Sequence, residues 1–252
     1  MNKNIGSQII HLDNIDSTNN YANLLIQTKR QLHGVAIFAK YQMAGKGQKG
    51  NFWESKYGEN LTFSLILEPQ GVPIPRQFRI SQAVSLGICD YLQEHTDRKV
   101  NIKWPNDIYV ENNKICGILI ETKWMGKYIK DAIIGIGLNI NQEHFESDAP
   151  NPISLFNITN KKYVLEEEEK NLLETIEKRW EQMEQDPEQI NYDYHDMLYL
   201  KDLWANFEDS EETFSGMIIG VNEIGQLHIQ KKDTSDHFYN FKEVKLLSSL
   251  ES

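Results

Sequence analysis

The stretch from Tyr128 to Asn141, "YIKDAIIGIGLNIN", constrains the fold more than any other. From Ala132 to Ile140 it is almost wholly apolar, yet it falls well short of the roughly 18 residues that cross a membrane. It reads as a strand, so the chain must build a sheet. Gly135 and Gly137 stand two apart and therefore face the same side. Their missing side chains bare one face, as a flat ligand pressed on a sheet would need. A bulge or close helix packing is the competing account.

More strands are expected at Gln8–Asp13, Gly34–Gln42 and Asn60–Pro69. The run "KVNIKWPNDIYVENNKICGILIETKW" reads as two strands around a turn at Glu111 to Asn113. Asp16 or Ser17 can cap a helix whose apolar stripe is Tyr21, Leu24 and Leu25. Helical spacing recurs from Gln77 to His95, again at Leu172, Leu173, Ile176, Trp180 and Met183, and around Ile190 to Leu203. The acidic run Glu166–Glu169 falls at a helix start, where negative charge suits the dipole, and reads as a solvated end. His195-Asp196 falls on an expected helix and reads as a polar pair facing water. The tail turns to short strands, "TFSGMIIGV-NEIG-QLHIQ", "HFYNF" and "VKLL", which suggest a small barrel. The expected architecture is α/β. A mixed, largely antiparallel sheet backed by helices spans residues 1–205, and a small β-barrel spans 206–252, with the boundary near Asn206.

Composition narrows the function. The chain has 252 residues, 40% of them hydrophobic, which allows a sizeable core. It has no membrane-span or signal-peptide pattern, and its two cysteines, Cys89 and Cys116, lie in apolar contexts as buried free thiols. A cytoplasmic location is expected. The net charge of -11 argues against general nucleic-acid binding. From Gly34 to Trp53, however, there is no acid, while Lys40, Lys46 and Lys49 are present.

That basic island holds a glycine loop, "AGKGQKGNFW", which satisfies G-x-G-x-x-G. A dinucleotide fold would need a helix after it, and "NFWESKYGENLTFSLIL" is not helical. A phosphate loop would need Lys and Ser/Thr where Asn51 and Phe52 stand. A kinase loop would need H-R-D and D-F-G downstream, and neither occurs. What remains is backbone N–H groups free to approach an anion, lysines to attract it and Trp53 to exclude water. A solvated hairpin tip is the plain alternative. Two further stretches add chemistry. "KWPNDIYV" puts Asn106 and Asp107 at a turn. "NNKICGILIE" starts an apolar strand with Lys114 and interrupts it with Gly117. A plain turn and a strand-end lysine reaching for water are the ordinary readings of these.

In order, "DSTN", "QMAGKGQKGNFW", "KWPNDIY", "KICGILIE", "IGIGLNIN" and the tail "FSGMIIGVNEIGQLHI" resemble the biotin protein ligases. The likeness covers nearly the whole chain. It implies a catalytic fold similar to class II aminoacyl-tRNA synthetases with a C-terminal SH3-like barrel. It also implies the reaction: biotin and ATP, with Mg²⁺, give biotinyl-adenylate and pyrophosphate. Biotin then passes to one lysine of a biotin carboxyl carrier protein. The resemblance puts Ser17, Thr18 and Asn19 on the polar ring of biotin, with Gln42, Gly45, Lys46 and Gln48 nearby. Gly45, Lys46, Gly47, Gln48, Lys49 and Gly50 would close over adenylate and phosphates. Trp53, Asn106 and Asn139 would border the nucleotide. Lys114 would bridge the biotin carboxylate and the α-phosphate, with Lys46 assisting. Asp107 would approach the incoming amine. Gly117, Gly135 and Gly137 would give the ligand room.

The chain departs from the pattern twice. Many relatives have Arg where Lys46 and Gln48 stand, so weaker retention of the adenylate is expected. Some relatives carry an N-terminal helix-turn-helix. Here the catalytic pattern starts by about residue 8, which implies a ligase-only form that binds neither DNA nor membrane, with a homodimer possible. The nearest rival is a lipoate or octanoate ligase or transferase on the same fold. A linear acyl chain would not need the polar "DSTN" cluster. A non-catalytic ligand-binding module would have little use for Lys46, Lys49 and Lys114 together.

Overall fold

The structure, a computed structural model, describes residues 4–28, 32–47, 52–146 and 151–248. The chain opens with β1 (Gln8–Ile15), α1 (Thr18–Thr28), β2 (Val35–Gln42), β3 (Leu61–Leu67) and α2 (Phe78–Gln93). Four strands follow: β4 (Val100–Lys103), β5 (Asp107–Val110), β6 (Asn113–Met125) and β7 (Tyr128–Leu138). Then come α3 (Leu155–Thr159), α4 (Leu165–Gln185) and α5 (Pro187–Asp196). The chain ends in β8 (Trp204–Glu208), β9 (Thr213–Val221), β10 (Leu227–Lys231), β11 (Asp236–Tyr239) and β12 (Lys245–Ser248).

β1 to β7 form one sheet in the order β1-β2-β3-β7-β6-β5-β4. The β1–β2 pair is parallel and the others are antiparallel. A parallel pair needs a crossover, and α1 supplies it. This is the mixed, largely antiparallel sheet that the sequence implies. The expected two strands between Lys99 and Trp124 are three. The Trp104–Pro105 bond is cis, and the turn there divides β4 from β5. A second reversal follows at Glu111, whose φ is 55°.

Period-2 alternation splits the strands between two faces. The back face carries Leu61, Phe63, Leu65 and Leu67 of β3 and Ala132, Ile134, Ile136 and Leu138 of β7. It packs into the main core with α2 and α4. Helix α2 is buried almost all round, because it touches both the sheet and α4. Gly87 permits that approach: a Cβ there would stand 2.6 Å from the Ile176 Cα. Arg179 of α4 ties three helices together, binding Asp90 of α2 through Nε at 2.6 Å and Asp193 of α5 at 2.5 Å.

The front face is smaller and partly open. Ala22 and Leu25 of α1 pack there on Val35, Ile37, Ile66 and Ile133. Leu24, expected in the apolar stripe, is exposed, because the stripe turns through Ala22 and Leu25 instead.

The helix expected to run on to Leu203 ends at Asp196. The acidic start of α4 is not simply solvated. Glu168 is buried and accepts from the Tyr91 hydroxyl at 2.6 Å, with His95 Nε2 at 2.9 Å, and Glu169 meets His11 at 2.8 Å. Burial and the Glu168 carboxylate push the Tyr91 hydroxyl pKa far up. His195 is likewise not idle polarity. Its Nε2 accepts the Val221 backbone N–H at 2.9 Å, and its Nδ1 lies 2.6 Å from the Asn191 carbonyl, so it fastens α5 to β9.

The last five strands form an antiparallel sheet in the order β11-β10-β9-β8-β12. It begins at Trp204, and Asn206 lies inside its first strand. Its apolar residues, among them Phe207, Phe214 and Ile229, continue the main core. Among the described residues, no helix is long and apolar enough to cross a membrane.

Candidate active site

A cavity of about 710 Å³ opens on the front face, beside the N-terminus of α1. The register explains its floor. Gly117 pairs with Gly137 and Leu119 with Gly135, while Ser64 of β3 pairs with Gly135 from the other side. The glycines stand in one patch with their open faces toward the cavity. A methyl at Gly135 would collide with the Asn19 amide, and one at Gly137 with the Trp53 indole. At Gly117 a Cβ would come within 2.9 Å of that same indole. The ladder runs through both glycines without a register shift, so neither is a bulge; Gly135 lets the Asn19 amide of α1, and Gly137 the Trp53 indole, lie close against the sheet.

Residues expected on biotin come together at one end. Ser17, Thr18 and Asn19 are buried where α1 begins, and all three line the cavity with Gln42. The Gln42 side-chain oxygen accepts the Thr18 backbone N–H at 2.8 Å. Asp16 lies just outside. Hydrogen bonds from Asn20 and the Ser17 backbone hold its carboxyl below the usual carboxylate range.

At the other end Lys114 meets Asp107, Nζ to Oδ1, at 2.8 Å, with both side chains about three-quarters covered. The Lys114 ammonium also lies 5.7 Å from the centroid of the Trp53 ring. Lys114 is thus held in the cavity by a carboxylate and an aromatic face, and is not a strand-end lysine stretching to water. Asn106 lines the cavity and donates through Nδ2 to the Ile118 carbonyl. Lys46 lines the rim and donates to Asn20 Oδ1 at 2.6 Å; Gly47 follows it.

Two predicted residues sit behind the lining. Gly45 is buried under Trp53, whose backbone N–H it accepts at 3.1 Å. Asn139 is buried and donates to the Ile153 carbonyl at 3.0 Å, while its Oδ1 has no partner. Gln48, Lys49 and Gly50 lie outside the described residues.

The lining has a strong charge bias. Among the described lining residues are five lysines, Lys46, Lys103, Lys114, Lys242 and Lys245, against one carboxylate, Asp107. This basic pocket lies in a chain of net charge -11. It can draw two anions together and offset their repulsion. Sequence reasoning missed Lys103. It ends β4 opposite Asp107, donates to the Tyr109 hydroxyl at 3.3 Å, and has its pKa lowered by burial. Also missed was the part played by the C-terminal sheet, whose Phe241, Lys242 and Lys245 help wall the cavity. Trp104 joins the two sheets by donating from Nε1 to the Gly225 carbonyl at 2.9 Å. Ser64 and Glu121 were missed too. Glu121 had a signal: it continues the odd-numbered face that carries Gly117 and Leu119.

The profile of the biotin/lipoate A/B protein ligase family matches residues 12–139, which hold every glycine of the cavity floor. The chain belongs to that family. Among curated relatives, the bifunctional ligase/repressor BirA of Bacillus subtilis is 26% identical over 251 aligned residues, covering 94% of this chain and 73% of that one. The biotin–[acetyl-CoA-carboxylase] ligase of Paracoccus denitrificans is 33% identical over 128 residues, 50% of this chain and 51% of its own. Among solved structures, the biotin protein ligase of Aquifex aeolicus in complex with biotin and ATP superposes with a TM-score of 0.79. It is 23% identical, and the match covers 96% of this chain and 99% of that one.

Proposed function

We propose that this protein is a biotin protein ligase, joining biotin to ATP and then to a lysine of a biotin carboxyl carrier domain. One observation carries this reading. One cavity holds a buried polar cluster at one end, a lysine about three-quarters covered at the other and a floor of glycines between them. The family includes lipoate ligases, so membership alone does not choose the acid. The polar cluster supports biotin: a cyclic urea can use the hydrogen-bonding capacity that Thr18 Oγ1 and the Gln42 NH₂ have left over, whereas a linear acyl chain would leave it unmet.

The residues divide the chemistry. The acid's carboxylate lies toward Lys114 and attacks the α-phosphorus of ATP, and pyrophosphate leaves. Lys114 and Lys46 offset the meeting of two anions. When anions take Lys114, Asp107 loses its partner and can accept a proton from the incoming lysine amine. The amine then attacks the acyl carbon and AMP leaves. Trp53 and the C-terminal wall keep water from the anhydride. Among the described residues, no group of three or more His, Cys, Asp or Glu could hold a metal ion. Mg²⁺ would enter on the phosphates of ATP, held by their oxygens and water.

The test is the intact mass of a biotin carrier domain after incubation with the protein, ATP and Mg²⁺. Parallel tubes hold biotin, lipoate or octanoate. A biotin-sized gain on one lysine, reduced about 100-fold or more in rate by Lys114→Met, is expected. A gain with lipoate or octanoate alone would overturn the choice of acid.

A further inference from the structure

We infer that Glu121, which lies outside the cavity lining, is a positioning residue that sets the direction of the hydrogen bonds linking Thr18, Ser64 and Asn19, and so makes the pocket selective for a cyclic urea. This rests on the biotin reading above. The Asn19 side chain donates from Nδ2 to Glu121 Oε2 at 2.8 Å. A carboxylate only accepts, so it fixes which way the Asn19 amide faces. Asn19 Oδ1 then lies 2.6 Å from Ser64 Oγ, and Ser64 is fully buried.

The order follows from counting protons. A serine hydroxyl has one, and Asn19 Oδ1 can only accept, so the Ser64 proton goes there. Thr18 Oγ1 lies 2.7 Å from Ser64 Oγ. With the Ser64 proton spent, the Thr18 hydroxyl donates to Ser64. Its contact to Gln42 Oε1 is longer, 3.2 Å, and that oxygen already takes the Thr18 backbone N–H. Four side chains thus form one directed string, Thr18 to Ser64 to Asn19 to Glu121.

The string determines what the cavity offers. Thr18 Oγ1 turns lone pairs outward as an acceptor. Gln42, with its oxygen occupied, offers its NH₂ as a donor. A cyclic urea carries one carbonyl acceptor between two N–H donors, which suits adjacent donor and acceptor groups. A saturated acyl chain has neither. Reversing the string would set acceptor against acceptor, and buried mismatches of that kind are costly.

The experiment is calorimetric titration of the full chain with biotin, desthiobiotin and octanoate. Desthiobiotin keeps the urea ring; octanoate keeps only the chain and carboxylate. Glu121→Gln has nearly the same shape but can donate, so it lets the Asn19 amide turn. Its affinity for biotin and desthiobiotin should fall about 10–100-fold, the loss expected for a mispaired charged hydrogen bond. Octanoate affinity and the KM for ATP should stay within about twofold. Glu121→Asp keeps the charge on a shorter stem and should fall between, and serves as the second variant should the first unfold. Equal weakening of octanoate and biotin would make Glu121 merely structural and overturn the inference. Unchanged urea affinity in both variants would overturn it too, with the ligase reading intact. Wild-type binding of neither urea compound would sink both.

Discussion

The two faces of the seven-stranded sheet are built from the same strands and for opposite ends. On β7, Ile134, Ile136 and Leu138 point into the main core, while Gly135 and Gly137, between them, open the cavity floor. On β6, Cys116 is fully buried behind the sheet while Gly117 faces forward. The back face gains stability from area removed from water. The front face gives up that area to leave a shaped space and satisfies polar groups in a string instead. A period of two lets one strand serve both, since the side chains of adjacent residues leave the sheet on opposite faces. Change on one face should therefore be felt as lost stability and on the other as lost binding.

Leu65→Ala should break the back face most. Leu65 is fully buried, and its truncation should cost about 2–5 kcal/mol in denaturant unfolding. Adenylate formation per folded molecule should barely change; a matching fall in turnover would erase the distinction between faces. Gly87→Val comes next. It drives a branched side chain into the Ile176 backbone and should cost about 1–3 kcal/mol, again with KM values preserved. Gly137→Ala probes the front. It should lower stability by less than about 1 kcal/mol, because its neighbour is the Trp53 side chain, yet weaken ligand binding about tenfold or more by moving that indole. Stability lost without affinity would reassign Gly137 to packing. The gentlest probe is chemical. Burial raises the pKa of the Cys89 and Cys116 thiols well above the usual range, so neither is a ready nucleophile. A thiol reagent at pH 8 should label neither before unfolding, with or without ligand. Rapid labelling of Cys116 would show that the floor opens from behind.

The shared facing of Gly135 and Gly137 was legible because both lie within one strand, where spacing dictates facing. The order of the motifs conveyed the sheet, the helices behind it and the family. Partners across space were not legible. Nothing near Glu121 in sequence announces Asn19, and nothing near Trp104 announces Gly225. Glu168 and Glu169 read as solvent-facing because helix-start acids usually are; burial depended on Tyr91, His95 and His11 arriving from other elements. Leu24 was misplaced because a stripe read from sequence has an uncertain centre, and only the sheet beneath α1 fixes it. The divided β4–β5 strand was hidden by continuous β-forming composition on both sides of a tight turn.

The β3–β7 pairing bears on how the chain reaches this state. Leu61 lies against Leu138 and Leu67 against Ala132, with α2 and three strands threaded between them in sequence. Hairpins such as β6–β7 can close early, since their ends are near. The seam between β3 and β7 must wait for a long loop to close, and that entropy is spent before any contact returns it. The cavity floor lies on this seam. Biotin and ATP can therefore grip only a chain that has nearly finished folding, and they should lengthen the lifetime of the native state while leaving the rate of its formation unchanged.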